Sequence, residues 1–344
     1  MPGRRRHPRG PRAALTAAAC AALLLGPPPT AQAADDRPGP RPVAGDVTGA
    51  VTGDIEVHDP SAIRLEDGTY VVYSTHNGIE ARTSTDGVHW KRAGSAFRSQ
   101  PAWWRAYSAE SDPWAPEVLH RGGTYWLYYA VSSFGSNHSA IGLATSPTGL
   151  PGTWEDRGVV FSSTTTDDYN AIDPGVVEGG GRLWMSFGSH WTGIRMVELD
   201  RRTGTVKPGA PVHHLATRPD APYAVEAPSL VKRGAYYYLF VSYDRCCAGT
   251  DSTYNIRVGR ATSPTGPYTD RDGTPMTEGG GELLLASQGR YVGPGGQSVL
   301  RDRGGRAGRD VLVHHYYDAE DGGVPKLALR ALRWDDAGWP AVGR

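Results

Sequence analysis

The chain has 344 residues with 36 Lys and Arg against 36 Asp and Glu, but the first 33 residues carry five Arg and no acid, so residues 34–344 have a net charge of −5. An acidic body lacks the basic footprint that nucleic-acid binding needs. Ten Trp, 17 Tyr and five Phe exclude a solvated coil, and 45 Gly with 27 Pro and no collagen period fit a turn-rich all-β protein.

Residues 1–33 read as a basic stretch (MPGRRRHPRGPR), a short apolar run (AALTAAACAALLLG) and a small-x-small site. This is the pattern of a secretory signal peptide, cleaved after Ala33. The apolar run is too short to span a bilayer, and Cys20 lies inside it rather than at its end, which argues against lipidation. The mature product is therefore expected to be secreted and extracellular, with no membrane or nucleic-acid partner. Residues 34–53 are rich in Pro and Gly and have no aromatic, so they read as a flexible lead-in. After cleavage two cysteines remain, the adjacent Cys246 and Cys247. They form a strained ring or stay as thiols, and they staple no distant segments.

From residue 54 the sequence repeats itself five times. The units open at 58–75, 114–132, 172–189, 226–243 and 295–318, each with a short strand, a Gly-rich turn and a second strand rich in Tyr, Trp and Val. With Pro60, Pro116, Pro174, Pro228 and Gln297 taken as equivalent, the spacings are 56, 58, 54 and 69 residues. A third strand of alternating character follows in each unit (IEARTSTDG, AIGLATSPTG, GIRMVELDRRTG, NIRVGRATSPTG, PKLALRALRWDDAG). Trp90, Trp154, Tyr268 and Trp339 are expected in fourth strands. Repeats of this length with four strands predict a five-bladed β-propeller spanning residues 54–344. A two-sheet sandwich would not require one motif five times.

In a propeller the first strand of each blade lines the central channel, so residues that open the repeats converge on one cavity. Asp59 opens the first, Asp173 the third and Glu226 the fourth, with His314 and His315 in the fifth. Each acid alone is a common turn or strand-initiating cap. Three at matching places in the repeat suit glycoside hydrolysis, which needs two carboxylates in different protonation states. Glu226 precedes a strongly apolar strand, and desolvation there is expected to raise its pKa toward that of an acid catalyst.

The ordered segments HDPSAI, WAPEV, SSFGSNHSAIGLATSP, NAIDPGVV, EAPSLVKRGAYYYLFVSYDRCC, GPGGQSVL and HHYYD resemble the motif series of glycoside hydrolase family 43. Within it they are similar to the endo-1,5-α-L-arabinanases. The similarity runs from about Asp54 to the C-terminus. It implies that Asp59 is the general base activating water, Glu226 the general acid, and Asp173 the residue that orients the acid and tunes its pKa. It implies a single calcium ion near the channel centre, ligated largely by water and held in part by His315. Members invert the anomeric centre, which fits one carboxylate working through water.

For substrate contacts the resemblance points to Asn170, Ser189, Trp191 and Gly135, and an indole such as that of Trp191 covers the C–H face of a sugar. His190 stands where relatives more often carry an aromatic. Trp103, Trp104 and Trp114 line the groove or pack in the core. The expected function is inverting endo-hydrolysis of internal α-1,5 bonds of arabinan by a monomer. An exo-acting arabinofuranosidase or β-xylosidase of the same fold, and a non-catalytic carbohydrate-binding propeller, are the alternatives.

Overall fold

The computed structural model describes residues 50–302 and 309–343. The expected signal peptide and residues 34–49 of the expected lead-in lie outside them. Thr52–Gly53, at the end of the expected lead-in, form a short strand parallel to His89–Ser95, with Thr52 opposite His89 and Gly53 opposite Trp90. Thr52 and Gly53, counted in the expected lead-in, are thus part of a sheet.

Five antiparallel sheets follow in chain order. Blade one is Ser61–Arg64, Tyr70–Ser74, Glu80–Ser84 and His89–Ser95. Blade two is Trp114–Arg121, Thr124–Val131, Ser139–Ser146 and Glu155–Ser163. Blade three is Gly175–Gly179, Arg182–Phe187, Ile194–Leu199 and His213–Ala216. Blade four is Val225–Arg233, Tyr236–Tyr243, Asn255–Ala261 and Glu282–Leu285. Blade five is Tyr291–Asp302, Arg309–Asp318, Val324–Trp334 and Pro340–Val342. This is the five-bladed propeller that the repeat predicts. Trp90, Trp154 and Trp339 sit in or beside fourth strands as expected. Tyr268 does not. It is a buried residue of the loop that precedes Glu282–Leu285, joined to the sheet only through the bridge between Thr269 and Arg260.

The five hydrophobic cores lie between consecutive blades rather than inside any one of them. Trp104 is fully buried in the core between blades one and two, together with Tyr73, Tyr129 and Trp154. That settles its role as packing, since no ring face is left for a ligand. Closure of the ring is made by the N-terminal segment: Val57 N–H donates to Pro325 O (3.1 Å) and Leu327 N–H to Ile55 O (2.7 Å), tying the start of blade one to blade five.

Strand order gives the propeller two faces. Inner strands start at one mouth of the channel and end at the other. The loops joining second to third strands, and those leading into each inner strand, therefore share the first mouth. That mouth collects Asp59, Asp173 and Glu226, the loop 132–138, the turn 188–193 and the Cys246–Cys247 segment.

One local feature repeats in every blade. The residue just before Pro60, Pro116, Pro174, Pro228 and Gln297 is left-handed: Asp59 (φ 46°), Ala115 (43°), Asp173 (57°), Ala227 (52°) and Gly296 (57°). Four of these are not glycine, a conformation that L-residues adopt at a cost. The kink admits the chain to the channel. It also shows that Glu226 is offset by one: Ala227, not Glu226, is the counterpart of Asp59 and Asp173. The three acids are neighbours in space without occupying one repeat position.

Candidate active site

Asp59 lies at the channel mouth among polar partners from three stretches of sequence. Its Oδ2 accepts from His58 Nδ1 (2.8 Å) and from the Thr75 hydroxyl (2.8 Å), whose own oxygen accepts from Ala115 N–H. Burial would raise its pKa, but the charge and hydrogen bond of His58, with help from His315 and Thr75, hold the carboxyl well below the usual carboxylate range. Asp59 is an ionised base. A chain of polar contacts supports it: Cys247 N–H donates to the Tyr317 oxygen (2.8 Å), that oxygen lies 2.9 Å from His58 Nε2, and His58 donates through Nδ1 to Asp59. Cys246 and Cys247 are joined as a disulfide, and Cys247 Sγ stands 3.7 Å from His58 Nε2.

Glu226 and Asp173 form a buried pair. Ser189 donates its hydroxyl to Glu226 Oε2 (2.6 Å), Tyr254 donates to Oε1 (2.7 Å), and His190 Nδ1 lies 3.4 Å from Oε2. Burial pushes the Glu226 carboxyl up, yet the hydrogen bond and charge of His190 and the two hydroxyls together bring it below its ordinary value. Asp173 accepts Ala227 N–H at Oδ2 (2.9 Å), but burial and the charges of Glu226 and Asp59 raise its pKa well above the carboxylate range. Asp173 is thus shifted toward its protonated form and Glu226 toward its carboxylate, opposite to the expectation that desolvation raises the pKa of Glu226. The reason is local: three donors converge on Glu226 and one on Asp173.

The other expected residues divide clearly. Ser189 is spent on the acid. Asn170 is buried, its Oδ1 accepting the Ser139 hydroxyl (2.6 Å) and its Nδ2 donating to Ser136 O (3.3 Å). Its amide ties the loop 132–138 to blade three, so the expected direct sugar contact becomes a positioning role. Trp191 is 43% exposed at the mouth and free to cover a sugar face, and Gly135 lies exposed with φ 78°. Beside Gly135, Phe134 is 90% exposed, an aromatic that sequence reasoning passed over although it stands inside a quoted motif. His58, Thr75, Tyr254 and Tyr317 were also missed. The signals were the His of HDP and the Tyr of HHYYD. Thr75 and Tyr254 carry none.

His315 is fully buried and stacks on His58 (ring centroids 4.0 Å), while His314 points away and its Nδ1 donates to His315 O (2.9 Å). Burial holds both imidazoles neutral, His314 at about 3. His58, Asp59 and His315 offer ligand atoms within 4.8 Å of one another, and His315 Nε2 is buried without a partner among the described residues. A Cβ at Gly296 would lie 2.3 Å from Asp59 Oδ1 and 2.8 Å from His315 Nδ1, so only glycine leaves this cradle open. Calcium takes about six to eight oxygen ligands, and the set fits it as a site filled mainly by water. Asp59 N–H currently meets His315 Nδ1 (3.1 Å), which places the ring hydrogen on Nε2. Ligation through Nε2 needs the other neutral tautomer, with Nδ1–H turned to Asp59 Oδ1, 3.7 Å away.

Residues 51–340 match the profile of glycosyl hydrolases family 43. The chain belongs to this family. It is 42% identical over 291 residues to the extracellular endo-α-(1→5)-L-arabinanase 1 of Bacillus subtilis, covering 83% of this chain and 87% of that one. It is 39% identical over 305 residues to the extracellular exo-α-(1→5)-L-arabinofuranosidase ArbA of Cellvibrio japonicus, covering 84% and 86%. Among solved structures, the family 43 endo-arabinanase of Bacillus licheniformis superposes with a TM-score of 0.78 at 44% identity, covering 85% of this chain and 99% of that one. As a family 43 propeller, the protein is a glycoside hydrolase.

Proposed function

We propose that this family 43 member hydrolyses internal α-1,5-L-arabinofuranosidic bonds of arabinan with inversion. The convergence of an ionised Asp59 with a buried Asp173–Glu226 pair at one mouth carries this reading, and similarity to endo-arabinanases along nearly the whole chain supports the substrate. Asp59 accepts a proton from water as the water oxygen bonds to the anomeric carbon. The glycosidic C–O bond breaks, and Glu226 delivers its proton to the leaving oxygen. For that step the pair's proton must stand on Glu226, with Asp173 ionised beside it. Phe134 and Trp191 supply ring faces for flanking sugars.

A calcium ion held by His315, with Asp59 and His58 nearby and water completing its shell, would place fixed positive charge beside the base. The basic leader and the extracellular relatives support export. One propeller carries every residue of the site, which supports a monomer with arabinan as its partner.

Linear arabinan tests the reading. Early release of mixed oligosaccharides is expected, whereas release of a single short product from chain ends would favour the exo reading. Glu226→Gln should lower turnover of the polymer by about 10²–10⁴-fold, the usual range for losing a general acid, and spare substrates with activated leaving groups. Full activity of that variant on arabinan would remove Glu226 from the acid role.

A further inference from the structure

The channel has a second mouth, and its chemistry is the reverse of the first. Four positions after the repeat markers Pro60, Pro116, Pro174, Pro228 and Gln297 stand Arg64, His120, Glu178, Lys232 and Arg301. Four of the five are basic, in a body whose net charge is acidic. All five line one cavity of about 710 Å³ at the far end of the inner strands, joined there by Arg182 and Arg201.

These cations are held in place. Arg64 lies over the ring of Tyr70 (5.6 Å), Lys232 over Tyr237 (5.4 Å), and His120 stacks on Tyr125 (4.2 Å). Each partner comes from the adjacent strand, so the repeat builds the same cation-on-tyrosine pair in three blades. Arg182 lies over Trp184 (5.9 Å), and Arg301 donates to Lys232 O. The acids lining the cavity, among the described residues, are two. Glu178 is flanked by Arg121 (2.6 Å) and Arg201 (4.0 Å). Glu117 sits at the narrow end, where burial pushes its carboxyl up to about 7 and leaves it little charge below that pH. Arg64 and Arg182 reach Asp302 (3.9 Å) and Glu198 (3.0 Å), neither of which lines the cavity.

We propose that this far mouth binds a carboxylate-bearing saccharide, a short uronic-acid oligomer, through Arg64, Arg182, Arg201, Lys232 and Arg301. Guanidinium forks match carboxylates in geometry, and cations collected on a concave wall reinforce one another's field. The cations are spread round the rim, so a ligand with several separated carboxylates engages more of them than one compact anion does. The volume falls in the range of about 300–1,000 Å³ typical of small-ligand pockets. None of these side chains belongs to the catalytic mouth.

Calorimetric titration of the full protein with trigalacturonate at low salt tests the proposal, with inorganic phosphate and neutral arabinotriose as comparators. Binding of the uronate is expected, weakening as salt is added and unchanged when a neutral arabino-oligosaccharide fills the catalytic mouth. The double variant Lys232→Gln/Arg301→Gln should raise its Kd about tenfold or more, a loss of about 1.4 kcal/mol or more, while arabinan turnover stays as in the parent. Arg182→Gln, whose partner Glu198 keeps Lys207, provides a second variant should the double one fold poorly. No uronate binding, binding abolished by the arabino-oligosaccharide, phosphate binding as tight as the trisaccharide, or variants that bind like the parent would each overturn it.

Discussion

Glu226 shows how far one neighbour sets the chemistry of an acid. Its two strong hydrogen bonds, from Ser189 and Tyr254, come from neutral hydroxyls, and His190 adds the positive charge. The hydrogen bond to Glu226 in turn raises the pKa of His190. A protonated His190 favours the Glu226 carboxylate, so it works against an acid catalyst. Replacing His190 by Phe removes that stabilisation of the charged form, and the pKa of Glu226 must rise. The alkaline limb of kcat/KM, which reports loss of the catalytic proton in the free enzyme, should move to higher pH. An unmoved limb in His190→Phe would mean that the hydroxyls alone set this pKa.

Strands decide which of two adjacent histidines matters. Successive side chains on Arg309–Asp318 alternate between faces, and the alternation sends His315 against Asp59 and His58 while His314 donates to the backbone carbonyl of His315. His315→Ala should lower both turnover and calcium retention after exhaustive dialysis, and His314→Ala should change turnover much less. Chelated, ion-free enzyme with full activity would leave His315 a packing residue. The kink before each inner strand makes a second demand. Gly296→Ala places a Cβ against Asp59 Oδ1 at a left-handed φ, and a loss of kcat of at least tenfold is expected, converted from about 1.4 kcal/mol of displaced base. Turnover within twofold of the parent would show that the cradle yields without harm.

On the scale of the molecule the hydrophobic cores lie between blades, so stability depends on a closed ring. Val57 is buried in the core shared by blades five and one, next to the hydrogen bonds that shut that ring. Val57→Ala removes two methyl groups there and should destabilise the protein by about 2 kcal/mol from lost transfer energy and an unfilled space, read as a lower urea midpoint with one cooperative transition. Separate transitions would show that blades melt independently. The same ring gives the channel two unlike ends, acidic at the first mouth and basic at the second.

The repeat itself was legible in the sequence, because four-strand units of nearly constant length leave a period that needs no tertiary information. The convergence of Asp59, Asp173 and Glu226 followed from that period, and strand alternation allowed only one of His314 and His315 to face the channel, with the family resemblance favouring His315. The one-residue offset of Glu226 was legible too, since it stands two residues before Pro228 where Asp59 and Asp173 stand one before their prolines, although the reading of three matching acids passed over it. The placement of Asn170 was not legible: it looked like a ligand contact until Ser139 and Ser136 closed around its amide. Above all, the opposite shifts of Asp173 and Glu226 were decided only in three dimensions. Desolvation of Glu226 can be inferred from its apolar strand, but the donors that override it come from Ser189 and His190 in blade three and from Tyr254, 28 residues further along. A pKa is set by what surrounds a group in space, and sequence order determines only part of that.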